Sequence, residues 1–243
     1  MTHSVRLIVL HTLKYTDSSL LVYAYTDLFG RQTYILRGIR TAKKRGVTSL
    51  FFPLSLLSAQ AYHKHGSNIQ NIKEFNAIHS LSGIRTNLYK SAIALFLGEI
   101  LYRCIKEEEA NPTLFQFLYN SIMELEALTE SVSNFHLFFL TQFCKHIGYA
   151  PYANYHPEST PLFDYAQGVF VPSDTVSAFL FSKEESLLIA KFSALSSVTQ
   201  TSSISLSGAL RHQFIMQMIR YLHFHLSFST DIKSPEVLRQ LFQ

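Results

Sequence analysis

Near residue 81 the apolar pattern changes its period, and that change limits the chain to a β module followed by helices. Before it, Val5–Leu13, Ser19–Thr26 and Arg31–Arg37 are short runs rich in β-branched and aromatic residues, with Asp27-Leu28-Phe29-Gly30 as a turn between the second and third. Two more strand-like runs, around Leu50–Tyr62 and Ile69–Phe75, flank the turn His65-Gly66-Ser67-Asn68, and Pro53 predicts that the fourth run is bent or starts late. Five short strands with no long helix between them favour a small closed or partly open barrel. After residue 81 the spacing is helical. Arg85–Lys106 reads as one buried helix, and Asn111-Pro112 caps a second with Phe115, Leu118, Ile122 and Leu125 inward. Ser133 is placed to cap a third, with Phe135, Phe138, Phe139 and Phe143 inward and Gly148 closing it. Residues 149–173 hold four of the seven prolines and read as an irregular connector. Ser182 with Glu185 forms a capping box, 193–205 reads as a loop, Leu206–Leu226 as a long helix, and Ser234-Pro235 opens a last one. The expected architecture is α+β, with a barrel over 1–80 and a helical domain over 81–243.

Composition excludes several classes. With 47% hydrophobic and 16% charged residues the chain is not a disordered one. Cys104 and Cys144 alone make neither a disulfide framework nor a four-thiolate metal site. The opening Met1-Thr2-His3-Ser4-Val5-Arg6 lacks the apolar core of a signal peptide, and the apolar stretches are interrupted by Glu99, His136 and Gln142, so a cytoplasmic protein with no membrane span is expected. No phosphate-binding Gly-rich loop, nucleophile elbow or zinc-protease motif is present, so no catalytic residue, metal or cofactor is expected. His223 and His225 stand two apart and point away from one another on a helix. The acidic triplet Glu107-Glu108-Glu109 reads as a solvated helix end.

Charge carries the functional signal. Residues 1–80 hold ten Lys/Arg against three acids, and the remainder holds eleven against fourteen. From Leu28 through Lys73 there is no Asp or Glu, while Arg31, Arg37, Arg40, Lys43, Lys44, Arg45, Lys64 and Lys73 all fall inside. An acid-free stretch creates an unopposed positive potential, and each cation that reaches a phosphate releases counterions. Tyr23, Tyr25, Phe29 and Tyr34 are interleaved with these cations, as core residues or as faces on which bases stack. Single-stranded nucleic acid is the expected partner. The residues assigned to it are Arg31, Arg37, Arg40, Lys43, Lys44 and Arg45, with Arg85 and Lys90 extending the track.

The ordered motifs along the chain resemble those of the bacterial recombination mediator family RecO. They run from Thr26-Asp27-Leu28-Phe29-Gly30-Arg31 through Arg37-Gly38-Ile39-Arg40, Lys43-Lys44-Arg45 and Leu50-Phe51-Phe52-Pro53-Leu54. Lys90-Ser91-Ala92, Phe96-Leu97-Gly98-Glu99-Ile100-Leu101, Asn111-Pro112-Thr113-Leu114-Phe115, Gly148-Tyr149-Ala150-Pro151, Phe163-Asp164, Arg211, Tyr221 and Ser234-Pro235-Glu236-Val237-Leu238 continue the match. The resemblance implies an oligonucleotide-binding (OB) barrel, binding to single- and double-stranded DNA, and strand annealing. It also implies help in loading RecA onto DNA coated by single-stranded DNA-binding protein, together with RecR and often RecF. Some members carry a four-cysteine zinc module after the Gly-Tyr-x-Pro; no cysteine lies between 149 and 173 here, so no zinc is expected. The acidic, apolar tail of the single-stranded DNA-binding protein is a further implied partner, and Arg211 and Arg220 beside Phe214 and Tyr221 are the residues assigned to it. An OB-type RNA-binding factor in translation or ribosome assembly is the alternative reading, and an enzyme built on Asp17, Asp27 and Glu74 a third.

Overall fold

The computed structural model describes residues 2–39, 42–130, 132–229 and 231–242, without the side chains of 42–45. The described chain forms two compact units, Met1–Ala127 and Leu128–Gln243.

In the first unit, β1 (Thr2–Lys14), β2 (Leu20–Thr26), β3 (Gly30–Leu36), β4 (Leu56–Tyr62) and β5 (Gln70–Ala77) close a barrel in the order β1-β2-β3-β5-β4. β1 is long enough to pair with β4 through its first half and with β2 through its second, and its register with β2 shifts between Val9 and His11. β3 and β5 run parallel and are joined only at Tyr34–Gln70 and Ile35–Asn71. The period-two pattern puts Val5, Leu7, Val9, Val22, Ala24, Tyr34, Leu57 and Ala59 inside. This is the OB-type barrel expected from the motifs.

One detail of the strand reading is corrected and another is borne out. The basic segment between Gly38 and Gly46 is not simply a loop: a 3-10 helix covers Ala42–Phe51, because Val47, Leu50 and Phe51 pack against the barrel core. The fourth strand begins only at Leu56, late as Pro53 predicts. Leu54 sits at φ 66, where its N–H donates to Val9 O at 2.7 Å while Val9 N–H returns a bond to Ser55 O at 3.0 Å.

The same compact unit includes α1 (Ser82–Thr86), α2 (Leu88–Cys104) and α3 (Pro112–Ala127). The single helix expected over Arg85–Lys106 is broken at Asn87, which is extended and accepts from Tyr89 N–H and Lys90 N–H at 3.0 and 3.1 Å. α2 lies close enough to the barrel that a Cβ on Gly98 would stand 2.8 Å from Pro53 Cβ and 3.0 Å from Leu10 O. Asn111 caps α3 through Leu114 N–H, as the Asn-Pro pair predicts.

The second unit packs α4 (Phe135–His146), α5 (Lys183–Ala194), α6 (Gly208–Leu226) and α7 (Ser234–Leu241) around buried Phe139, Phe143, Ile189, Phe192, Phe214 and Met218. The capping box of Ser182 and Glu185 is present on α5. Ser133 is not a cap. It lies within a 3-10 turn, Val132–Asn134, and the buried Asn134 turns its amide to Thr201 O and Ile204 O. The connector contains a hairpin, β6 (Leu162–Asp164) with β7 (Val169–Val171), whose turn is held by Asp164 Oδ1 accepting from Ala166 N–H at 2.9 Å. Within 193–205 a 3-10 helix, Val198–Ser203, carries its own capping box from Ser197 and Gln200.

His136 on α4 is fully buried with its ring stacked on Phe242, and burial, aided by Arg211, pushes its pKa down to about 3. In the unfolded chain the imidazole takes a proton near pH 6.5, so below that pH the unfolded state holds the extra proton and stability falls as the pH drops toward 3. Urea unfolding at pH 7 and pH 5 is expected to show about 2 kcal/mol of His136-linked loss, which His136→Leu removes.

Candidate nucleic-acid interface

The Thr26–Arg31 turn shows what its residues are for. Thr26 Oγ1 accepts from Phe29 N–H at 2.9 Å and donates to Gly30 O at 3.0 Å, which ties the four-residue turn closed. Gly30, at φ +59, lies against the link between α2 and α3, where a Cβ would stand 2.3 Å from Glu109 O and 2.6 Å from Glu107 O. Arg31 N–H then donates to Glu107 O at 2.8 Å, and its Nη1 donates to Tyr102 O at 2.9 Å and Ile105 O at 2.5 Å. Those two carbonyls belong to the C-terminal end of α2, the negative pole of the helix, so a guanidinium is the group that suits them. Its plane also lies over Tyr102, 4.6 Å from the ring centroid, with Tyr23 at 5.9 Å. His11 stacks on Tyr102 at 4.7 Å, and burial lowers its pKa, with Arg103 and Arg31 acting in the same direction and Glu99 against them. Arg31 is therefore a joint between barrel and helices.

The other assigned cations divide. Arg37 follows β3 and is exposed, as are Lys64 and Lys73. Arg40 lies outside the described residues, as do the side chains of Lys43, Lys44 and Arg45. Arg85 is half-buried and reaches Ser55 Oγ at 3.3 Å. Lys90 does not extend a surface track. It is 6% exposed, and its Nζ donates to Glu126 O at 2.6 Å. The carboxylate of the same Glu126 accepts from Gly83 and Ile84 N–H, each at 2.7 Å, so this charge is committed to tying α1, α2 and α3 together. Among the aromatics, Tyr25 and Tyr34 are buried and Tyr23 is committed to Tyr102.

Phe29 differs. Its ring stacks on His63 with centroids 4.0 Å apart and planes 6° apart, and His3 stands edge-on to both, at 5.2 and 6.4 Å. These three half-buried rings come from β1, the β2–β3 turn and the β4–β5 hairpin, too far apart in sequence for any local pattern to pair them.

In the second unit the expected tail-binding group does not form a surface. Arg211 is 9% exposed, donating to Asn134 Oδ1, Phe242 O and Leu206 O at 3.0–3.3 Å; Phe214 and Tyr221 are buried, and the Tyr221 hydroxyl donates to Tyr149 O. Arg220 alone is exposed. An apolar stripe on a helix is a core signal first, and here the core takes it. A cavity of about 520 Å³ lies elsewhere, between α4, α5 and the connector, lined by Tyr152, Tyr155, Leu187 and Ala190 and bordered by Lys145 and Lys191. His223 and His225 reach different carbonyls, of Phe228 and Tyr165. Among the described residues no three His, Cys, Asp or Glu side chains gather as metal ligands, and no helix is long and apolar enough to cross a membrane.

The sequence that folds into this barrel and the helices after it matches known proteins along its length. Residues 1–81 match the family model for the N-terminal part of recombination protein O, and residues 85–230 match the model for its C-terminal part. The chain belongs to the RecO family. Three curated relatives are named DNA repair protein RecO. The one from Phocaeicola vulgatus is 34% identical over 97% of both chains, that from Bacteroides fragilis 33% over 97% of both, and that from Porphyromonas gingivalis 31% over 98% of both. Membership in RecO places the chain in DNA repair and recombination.

Within this RecO chain the joint and the surface cations separate by mutation. Arg31→Ala and Lys90→Ala each strand buried carbonyls and are expected to lower unfolding free energy by about 2 kcal/mol or more, while Arg37→Ala stays within about 0.5 kcal/mol. Gly30→Ala should cost about 2 kcal/mol or more, since it adds both a left-handed non-glycine residue and a backbone clash. Denaturant titration of the four variants checks both statements.

Proposed function

We propose that this chain is a non-enzymatic recombination mediator acting in the cytoplasm. It binds single- and double-stranded DNA through phosphate contacts from the barrel, anneals complementary strands, and with RecR, and RecF in some reactions, helps RecA onto DNA coated by single-stranded DNA-binding protein. The observation that carries this reading is the acid-free stretch from Leu28 to Lys73, built into an OB-type barrel in a chain of the RecO family. Once Arg31 is assigned to the joint, Arg37, Lys64 and Lys73 are the exposed cations of that stretch, and Arg40, Lys43, Lys44 and Arg45 complete the set. The work asked of such a surface is electrostatic. Two strands must meet against phosphate repulsion, and a polycationic face lowers that barrier without a covalent step.

For the acidic apolar tail of the single-stranded DNA-binding protein, the cavity bordered by Lys145 and Lys191 replaces the buried Arg211 group as the proposed seat, because it offers an apolar floor with cations at its edge. Lys145 already donates to Ser193 O at 2.9 Å, which leaves Lys191 as the freer charge.

Non-specific phosphate binding predicts that log affinity for an oligonucleotide falls linearly with log salt, with a slope of roughly 0.7 per phosphate contacted on a single strand. The triple variant Arg40→Glu, Lys43→Glu, Lys44→Glu should bind at least about ten-fold more weakly, with a shallower slope, while melting as the wild type does. Annealing of complementary oligonucleotides precoated with single-stranded DNA-binding protein, across a salt series, tests the mediator role. A folded triple variant with unchanged affinity and annealing would overturn it.

A further inference from the structure

The rim of the barrel carries a feature that phosphate contact does not use. Phe29 packs against the barrel core, and two half-buried histidines, which are not part of that core cluster, are stacked and braced on it. They sit on different elements, and the hairpin that brings His63 to them is held in shape. The buried Gln70 accepts from Lys64 N–H at 3.0 Å and donates to Lys64 O and Ser67 O, both at 2.9 Å. That clamp fixes the loop from within and leaves its outer side to the exposed Tyr62, Lys64, His65 and Ile69. A rigid hairpin loop presenting rings and cations, with no carboxylate between Tyr62 and Lys73, is complementary to a single strand, whose bases are flat and whose backbone is anionic.

Which part of the strand meets the rings is decided by charge. Burial lowers the His63 pKa, and His3 and His65 act in the same direction, while Glu108 acts against them. At neutral pH the ring is thus an uncharged face, with a carboxylate near enough to repel phosphate but not an aromatic base. Lys64, the next residue, is exposed and is the cation available for a backbone contact.

We propose that the rim formed by His3, Phe29 and His63 is a stacking site for one unpaired nucleobase of a bound single strand, with Lys64 meeting its phosphate. This rests on the DNA-binding reading above and adds a base contact to it. The test uses the full chain and two labelled oligonucleotides, a thymine strand carrying one central 2-aminopurine and the same strand with abasic positions. Wild type should quench the 2-aminopurine on binding. His63→Ala should abolish that quenching and bind the base-bearing strand about 5- to 30-fold more weakly, His63→Phe should keep both within about two-fold, and all three should bind the abasic strand alike. Unquenched 2-aminopurine on the bound wild type, or a His63→Ala loss that is equal on both strands, overturns the stacking site while leaving DNA binding intact. If the wild type binds neither strand, the DNA-binding reading fails and the stacking site with it.

Discussion

A guanidinium set into the carbonyl end of a helix joins the barrel of this chain to the helices that follow. Arg31 can fill that place only because the residue before it has no side chain and the turn before that is tied by Thr26. Three consecutive requirements (a hydroxyl to close the turn, a bare backbone to approach Glu107 and Glu109, a planar cation to meet Tyr102 O and Ile105 O) thus explain a motif that charge counting assigns to DNA. A cation with two carbonyl partners and an aromatic face beneath it is already satisfied, and moving it to a phosphate would leave the end of α2 without its counter-charge.

The electrostatic division also shifts with the fold. By sequence the surplus belongs to residues 1–80, but the compact unit runs to Ala127 and includes the acidic link between α2 and α3, giving fourteen Lys/Arg against nine Asp/Glu. The acids are the solvated helix end that the sequence suggests, and they lie against the barrel. Their backbone is the surface on which the Gly30 turn rests, and their side chains are exposed beside it. The positive field of the barrel is therefore directional, weakened on the side of Glu107–Glu109.

Local chemistry made much of the fold legible. Period-two burial in β1–β4, the Asn111-Pro112 start of α3 and the Ser182–Glu185 box of α5 each depend on residues within a few positions of one another. The departures occur where a distant partner decides. Asn134, not Ser133, stands at the N-cap position of α4, yet its side chain donates to Thr201 O and Ile204 O instead of capping the helix, and Lys90 is internal because Glu126, 36 residues on, offers it a carbonyl. Leu54 accepts a left-handed backbone because Val9 needs hydrogen-bond partners at the place where β1 changes neighbours. The candidate site shares this split: the cations could be named from composition, but which of them were already bonded, and which rings met at the rim, depended on contacts between residues 26 to 74 positions apart.

The parallel seam between β3 and β5 has a mechanical meaning. Four of the barrel's five joints are antiparallel ladders seven or so residues long, or nearly so, whereas this one is held at Tyr34–Gln70 and Ile35–Asn71 alone. A closed sheet gives way where the fewest bonds must break together, so thermal opening begins here and exposes two strand edges while the remaining ladders hold. The barrel thus behaves as a cuff with a single clasp, and Gln70, which clamps the hairpin beside it, is also one half of the fastening.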